Sequence, residues 1–190
     1  MKLFTFLLCF LISSITSAQL NKGQFLAGGS VSFESIESKD AGGPEYKYTL
    51  FSFAPNVGYF IIPKLAAGLR LGISTYKEDR PDNRQTSTSV SPFVRYYLLS
   101  QKQKLNVLVD ASYVHYRTRY ESQLAPEFTE KSNGYNISGG PVMFVNEHVG
   151  LEFLIGYKHI KSKDPYSSGS TGTFSTGLGL QVHLGRGREK

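Results

Sequence analysis

The stretch LAAGLRLGISTY, residues 65–76, puts Leu65, Ala67, Leu69, Leu71 and Ile73 on one parity and Ala66, Gly68, Arg70, Gly72 and Ser74 on the other. Successive side chains of a strand point to opposite faces, so this is a strand with one apolar face and one small or polar face. Eight segments of this kind recur, at 24–36, 47–61, 65–77, 87–99, 105–118, 133–145, 149–161 and 172–184. Most hold 12 to 14 residues. That is about twice a globular strand and suits a tilted strand crossing a bilayer. Beyond the N-terminal segment, no stretch approaches the run of about 18 apolar residues that a membrane helix needs.

The links between segments alternate in length. IPK, SQKQK and NEH are short, whereas ESKDAGGPEY, EDRPDNRQT, RYESQLAPEFTEKS and SKDPYSSGSTG are long and polar. Such alternation fits an up-and-down antiparallel meander with every short turn at one end. A weak repeat supports it. FAPNVGYFI at 53–61 and VSPFVRYYL at 90–98 share a pattern, and ISGGPVMFV at 137–145 is a looser copy. Pro55 and Pro92 stand inside strands, where a bulge is expected to remove the need for an N–H. Tyr59, Phe60, Tyr96 and Tyr97 precede short turns, where an aromatic girdle is expected.

The polar rows decide which face turns inward. They hold many of the 19 glycines, together with Glu34, Arg70, Arg95, Asp110, Glu152 and Lys158. Three acids and three bases balance, as a narrow interior requires, because an unpaired buried ion costs several kcal/mol. The apolar rows carry no charge in mid-strand, as a lipid-facing row must. The expected arrangement is therefore an all-β, eight-stranded, antiparallel up-and-down transmembrane β-barrel, with short periplasmic turns and longer extracellular loops. Arg70, Arg95, Asp110 and Glu152 are expected in one layer of its periplasmic half, with Glu34 and Lys158 nearer the long loops. Phe60, Phe93, Tyr97 and Tyr116 are further lumen candidates. Tyr46, Tyr120, Phe128 and Tyr166 are candidate contact residues of the loops.

The first 18 residues, MKLFTFLLCFLISSITSA, read as a signal peptide cleaved before Gln19. They contain the single cysteine, Cys9, so the mature chain is expected to lack disulfides. Residues 19–184 form the expected barrel and 185–190, GRGREK, a basic tail. The formal charge of +6 comes with no nucleic-acid motif, and no zinc spacing or phosphate-binding glycine loop is present.

With a signal peptide, eight alternating strands, Pro-x-Val-x-Tyr-aromatic runs before short turns and a glycine-rich last strand, the chain resembles the small eight-stranded outer-membrane β-barrel proteins. That superfamily includes outer-membrane proteins W and X and the membrane domain of outer-membrane protein A. The resemblance covers 24–184. It implies residence in the outer membrane of a Gram-negative cell envelope, contact with outer-membrane lipid and lipopolysaccharide, and handling by the assembly machinery. Many members end on an aromatic residue read by that machinery; here the row Leu180, Val182 and Leu184 is expected to serve. A monomer without cofactor, metal or nucleic acid is expected.

Four functions are open to such a chain. The leading one is a non-enzymatic barrel with a side-chain-filled lumen, serving envelope integrity or surface contact. The second is a narrow, porin-like channel for small apolar compounds, resembling outer-membrane protein W. The third is an enzyme. His115, His148, His159 and His183 all lack the serine two residues on that a lipid A deacylase uses, and no catalytic residue is assigned. The fourth is a soluble exported binding barrel with the two faces exchanged.

Overall fold

A computed structural model of the chain describes residues 20–39, 45–78, 83–100, 103–122, 126–164 and 167–185. The expected signal peptide, the tail beyond Gly185 and Tyr166 lie outside them, as do the side chains of Glu34 and Tyr46. Eight strands run in order: β1 (Phe25–Lys39), β2 (Glu45–Ile62), β3 (Leu65–Glu78), β4 (Asn83–Tyr97), β5 (Leu105–Ser122), β6 (Phe128–Phe144), β7 (Val149–Asp164) and β8 (Ser167–Leu184). Each pairs antiparallel with the next, and β8 pairs with β1 to close the barrel.

The strands reach further toward the long loops than their apolar rows do. Tyr46, Tyr120 and Phe128 thus stand in β2, β5 and β6, not in loops. Ladder hydrogen bonds need no apolar face, so pairing continues into water after the lipid-facing residues end. Tyr120 and Phe128 are directly opposite and their rings stack at 4.5 Å.

The strand prolines act without a bulge. The β2–β3 register runs Phe53↔Ile73, then Asn56↔Arg70, skipping Pro55 without a shift. Pro92 is skipped in the same way between β4 and β5, and Pro141 between β6 and β7. Each proline keeps its partner on the preceding strand and gives up pairing toward the following one. The shift in β2–β3 lies later, at Phe60/Ile62.

The short turns are locally encoded. In NEH, Asn146 Oδ1 accepts from the backbone N–H of His148 and of Val149, each at 2.8 Å. At IPK, Lys64 takes a positive φ of 69°, and its N–H donates to Leu20 O at 2.9 Å. The segment before β1 is thereby tied across the short-turn end. Gly23 N also donates to Phe60 O, and Phe60 N to Gln24 O.

The seam between β1 and β8 is short. Its register runs only from Phe25↔Leu184 to Val31↔Leu178, whereas β7 and β8 pair along their whole length.

Candidate functional site

The lumen is built in layers from the short-turn end. At the bottom, Leu20, Leu26, Phe60, Ala66, Tyr97, Leu108, Val142 and Phe144 form a buried apolar cluster. His183 sits among its rings, 5.6 Å from Phe60, 5.8 Å from Tyr97 and 5.4 Å from Phe144. Leu26, Leu108, Val142 and Phe144 belong to inward rows, so their strands deliver them here by parity alone. Leu20 arrives from outside any strand.

Above this plug lies a closed set of charges. Arg95 Nε is 3.1 Å from Asp110 Oδ2, and its Nη1 is 2.7 Å from Glu152 Oε1. Arg70 Nη2 is 2.9 Å from Asp110 Oδ2. Asp110 is 0% and Arg95 1% exposed, and the Arg70 side chain 18%. Arg95 and Asp110 are directly opposite on β4 and β5, whereas Glu152 comes from β7 across the lumen. Two bases and two acids compensate one another, which offsets the cost of removing them from water. Phe93 lies beneath both guanidinium groups, at 5.0 Å from Arg70 and 5.7 Å from Arg95. Its ring fits because Gly58 and Gly68 present no side chain; a Cβ on Gly68 would lie 2.7 Å from Phe93 Cζ and 2.2 Å from Val57 O.

Lys158 is on a higher level, its Nζ 5.7 Å from the Tyr116 ring centroid. Between it and the ion pairs is a cavity of about 300 Å³, lined by Asn56, Arg70, Glu152, Leu154, Lys158 and Gln181, among others. Its wall includes Val31, Phe174 and Leu178, where β1 and β8 separate, so the cavity meets the outer half of the wall.

The structure brings Arg70, Arg95, Asp110 and Glu152 together and sets Lys158 apart from them. The four residues expected in a girdle divide instead. Tyr59 and Tyr96 face outward, whereas Phe60 and Tyr97 are fully buried in the plug. The reason is the period of two: adjacent residues cannot share a face. The contributions of Leu20, Gln24 and His183 to the closed end were not singled out by sequence reasoning. Gln24 and His183 stand in inward rows, which is the available signal; Leu20 carries none.

The outer face is an apolar belt bounded by aromatic rings. Near the short turns, Phe25 and Tyr59 meet edge-on at 5.2 Å, with Tyr96 exposed nearby. Toward the loops stand Tyr113 and Tyr135, with Tyr157 5.0 Å from Phe174. From Met143 to Tyr135 on β6 is about 20 Å of depth at a tilt of about 40°, close to the apolar height of outer-membrane barrels.

The sequence matches the outer membrane protein beta-barrel domain over residues 4–185. The chain belongs to the outer membrane protein beta-barrel domain family. This outer-membrane barrel is similar in fold to neisserial surface protein A, with a TM-score of 0.57 at 16% identity, over 85% of this chain and 97% of that one. The N-terminal β-barrel domain of Pseudomonas aeruginosa OprF aligns with a TM-score of 0.46 at 14% identity, over 86% and 98% of the two chains. No curated protein sequence matches the chain. As a family member it is an integral protein of the outer membrane, and the belt from Tyr59 to Tyr113 is its lipid-facing surface.

Proposed function

We propose that this protein is a non-enzymatic outer-membrane barrel whose filled lumen blocks aqueous flow, and that it serves envelope integrity or surface contact. The observation that carries this reading is the sequence of two closed layers, the apolar plug and the Arg70–Asp110–Arg95–Glu152 set above it. An eight-stranded barrel is narrow enough for side chains to fill. Planar bilayers containing the purified protein should show no sustained open-channel current. A stable conductance of porin size overturns the reading.

A second reading, the passage of small apolar compounds, is favoured by the seam. The cavity above the ion pairs reaches the wall where β1 and β8 part, and Val31, Phe174 and Leu178 supply apolar edges there. A molecule entering from the loop end would leave sideways into the outer leaflet without crossing the plug. Uptake of a small apolar dye into the membrane of protein-loaded vesicles, above that of empty ones, distinguishes this reading from a purely structural role.

A further inference from the structure

The outer face of β4, β5 and β6 carries two features that barrel closure does not require. Arg117 on β5 and Lys131 on β6 are directly opposite and both exposed. Like charges at facing positions weaken a sheet unless something lies between them. Among the described residues, neither has an acidic partner. The nearby acids are engaged elsewhere: Arg119 Nε is 3.3 Å from Glu121 Oε1 and also contacts Glu127, while Glu130 Oε2 accepts from Tyr120 Oη at 2.9 Å. Lys161 pairs with Asn133, diagonal to Lys131, and adds a third base at this height. Arg117 borders a groove of about 560 Å³ with Thr86, Thr88, Phe128, Thr129 and the mutually paired Arg119 and Glu127.

Lower on the same strands is a second groove, of about 640 Å³, on the lipid-facing surface. Ala67, Pro92 and Ala111 leave it shallowly indented, and Tyr113, Tyr135 and Ile137 border it. Only the row Val90, His115 and Asn133 separates it from the basic site. From Arg117 down to Ala111 is about 20 Å of strand, or about 15 Å of depth at the tilt of such barrels. The bases therefore stand at headgroup level, directly above an acyl-sized furrow.

We propose that this face binds one phosphorylated lipid of the outer leaflet, its phosphate between Arg117 and Lys131 and an acyl chain in the furrow between Tyr113 and Tyr135. A phosphate supplies the anion that the facing bases lack, and Arg117 and Lys131 both donate charge-assisted hydrogen bonds to such oxygens. The proposal rests on the outer-membrane location and is independent of whether the lumen is filled.

The test is native mass spectrometry of the folded barrel in nonionic detergent, titrated with diphosphorylated lipid A and with the same lipid stripped of phosphate. Heat-modifiable gel mobility verifies that each variant is folded. One lipid A should be retained, and loss of its phosphates should weaken binding about tenfold or more. The double variant Arg117→Gln/Lys131→Gln should show the same loss. Ala111→Phe, which fills the furrow, should weaken both lipids. Lys64→Gln/Lys104→Gln, at the opposite end, should change nothing. The proposal is overturned by equal affinity for the two lipids, by unchanged binding in the double variant, or by an equal loss in the short-turn variant. A dimer of the parent protein that Ala111→Phe abolishes, with lipid affinity unchanged, would assign the furrow to a second copy instead.

Discussion

Arg95 holds two carboxylates at once, Asp110 at 3.1 Å and Glu152 at 2.7 Å, and all three are buried. Arg70 shares only Asp110 and keeps some exposure. Removing Arg95 therefore takes away the ion-pair partner of Glu152, whereas removing Arg70 leaves Asp110 its other partner. Breaking a buried pair from one side costs about 3–5 kcal/mol, and an exposed pair about 0–1 kcal/mol. Urea unfolding in lipid vesicles should rank Arg95→Leu as most destabilising, Arg70→Leu next and Arg119→Ala least, since Arg119 is 58% exposed. Equal stabilities for Arg95→Leu and Arg119→Ala would remove the ion set from the account of the lumen. Gly68 makes a second residue-scale case. Gly68→Ala puts a Cβ against Val57 O and the Phe93 ring, so it should cost about 1–3 kcal/mol by overpacking, read from the same titration.

At the scale of the strand, β8 has two different halves. From Leu178 to Leu184 it is hydrogen-bonded on both sides, to β7 and β1; from Ser167 to Gly177 its described pairing is to β7 alone. Lipid does not tolerate open backbone, but a polar cavity does, and the cavity bounded by Asn56, Lys158 and Gln181 lies behind this gap. Hydrogen exchange should show it directly. Amides of β8 between Thr171 and Gly177 that point toward β1 should exchange much faster than those between Leu180 and Leu184. Uniform protection along β8 would mean that the seam closes over its full length in the membrane. The strand prolines follow the same logic, since Pro55, Pro92 and Pro141 each sacrifice pairing on one side only and leave the register intact.

For the whole molecule, closure removes every free edge at the short-turn end, and the apolar belt faces lipid while the charges face inward. A folded barrel of this kind should resist sodium dodecyl sulfate at room temperature. The unheated protein should migrate faster than the boiled one and fractionate with outer membranes. A protein soluble without detergent, with one mobility before and after boiling, would restore the soluble barrel with exchanged faces. The seven long, well-paired interfaces and the one short one also predict where unfolding begins. Cysteines bridging β1 and β8 where their pairing ends, at Val31 and Leu178, should stabilise the barrel more than the same bridge between β5 and β6.

The strand count, the inward direction of Arg70 and the alternation of turns and loops were legible in the sequence, because each depends on local periodicity and spacing. The row Leu69, Leu71 and Ile73 against Arg70 and Gly72 states its faces within five residues. Parity also separates Tyr59 from Phe60 and Tyr96 from Tyr97, although grouping them by composition conceals it. The true strand ends were not legible, since a ladder in water continues without an apolar row. Nor were the partners across the lumen. Whether Arg95 reaches Glu152, how far β8 follows β1, and that Leu20 seals the bottom all depend on the stagger and tilt of closure. Those quantities belong to the ring of eight strands as a whole, and no single segment encodes them.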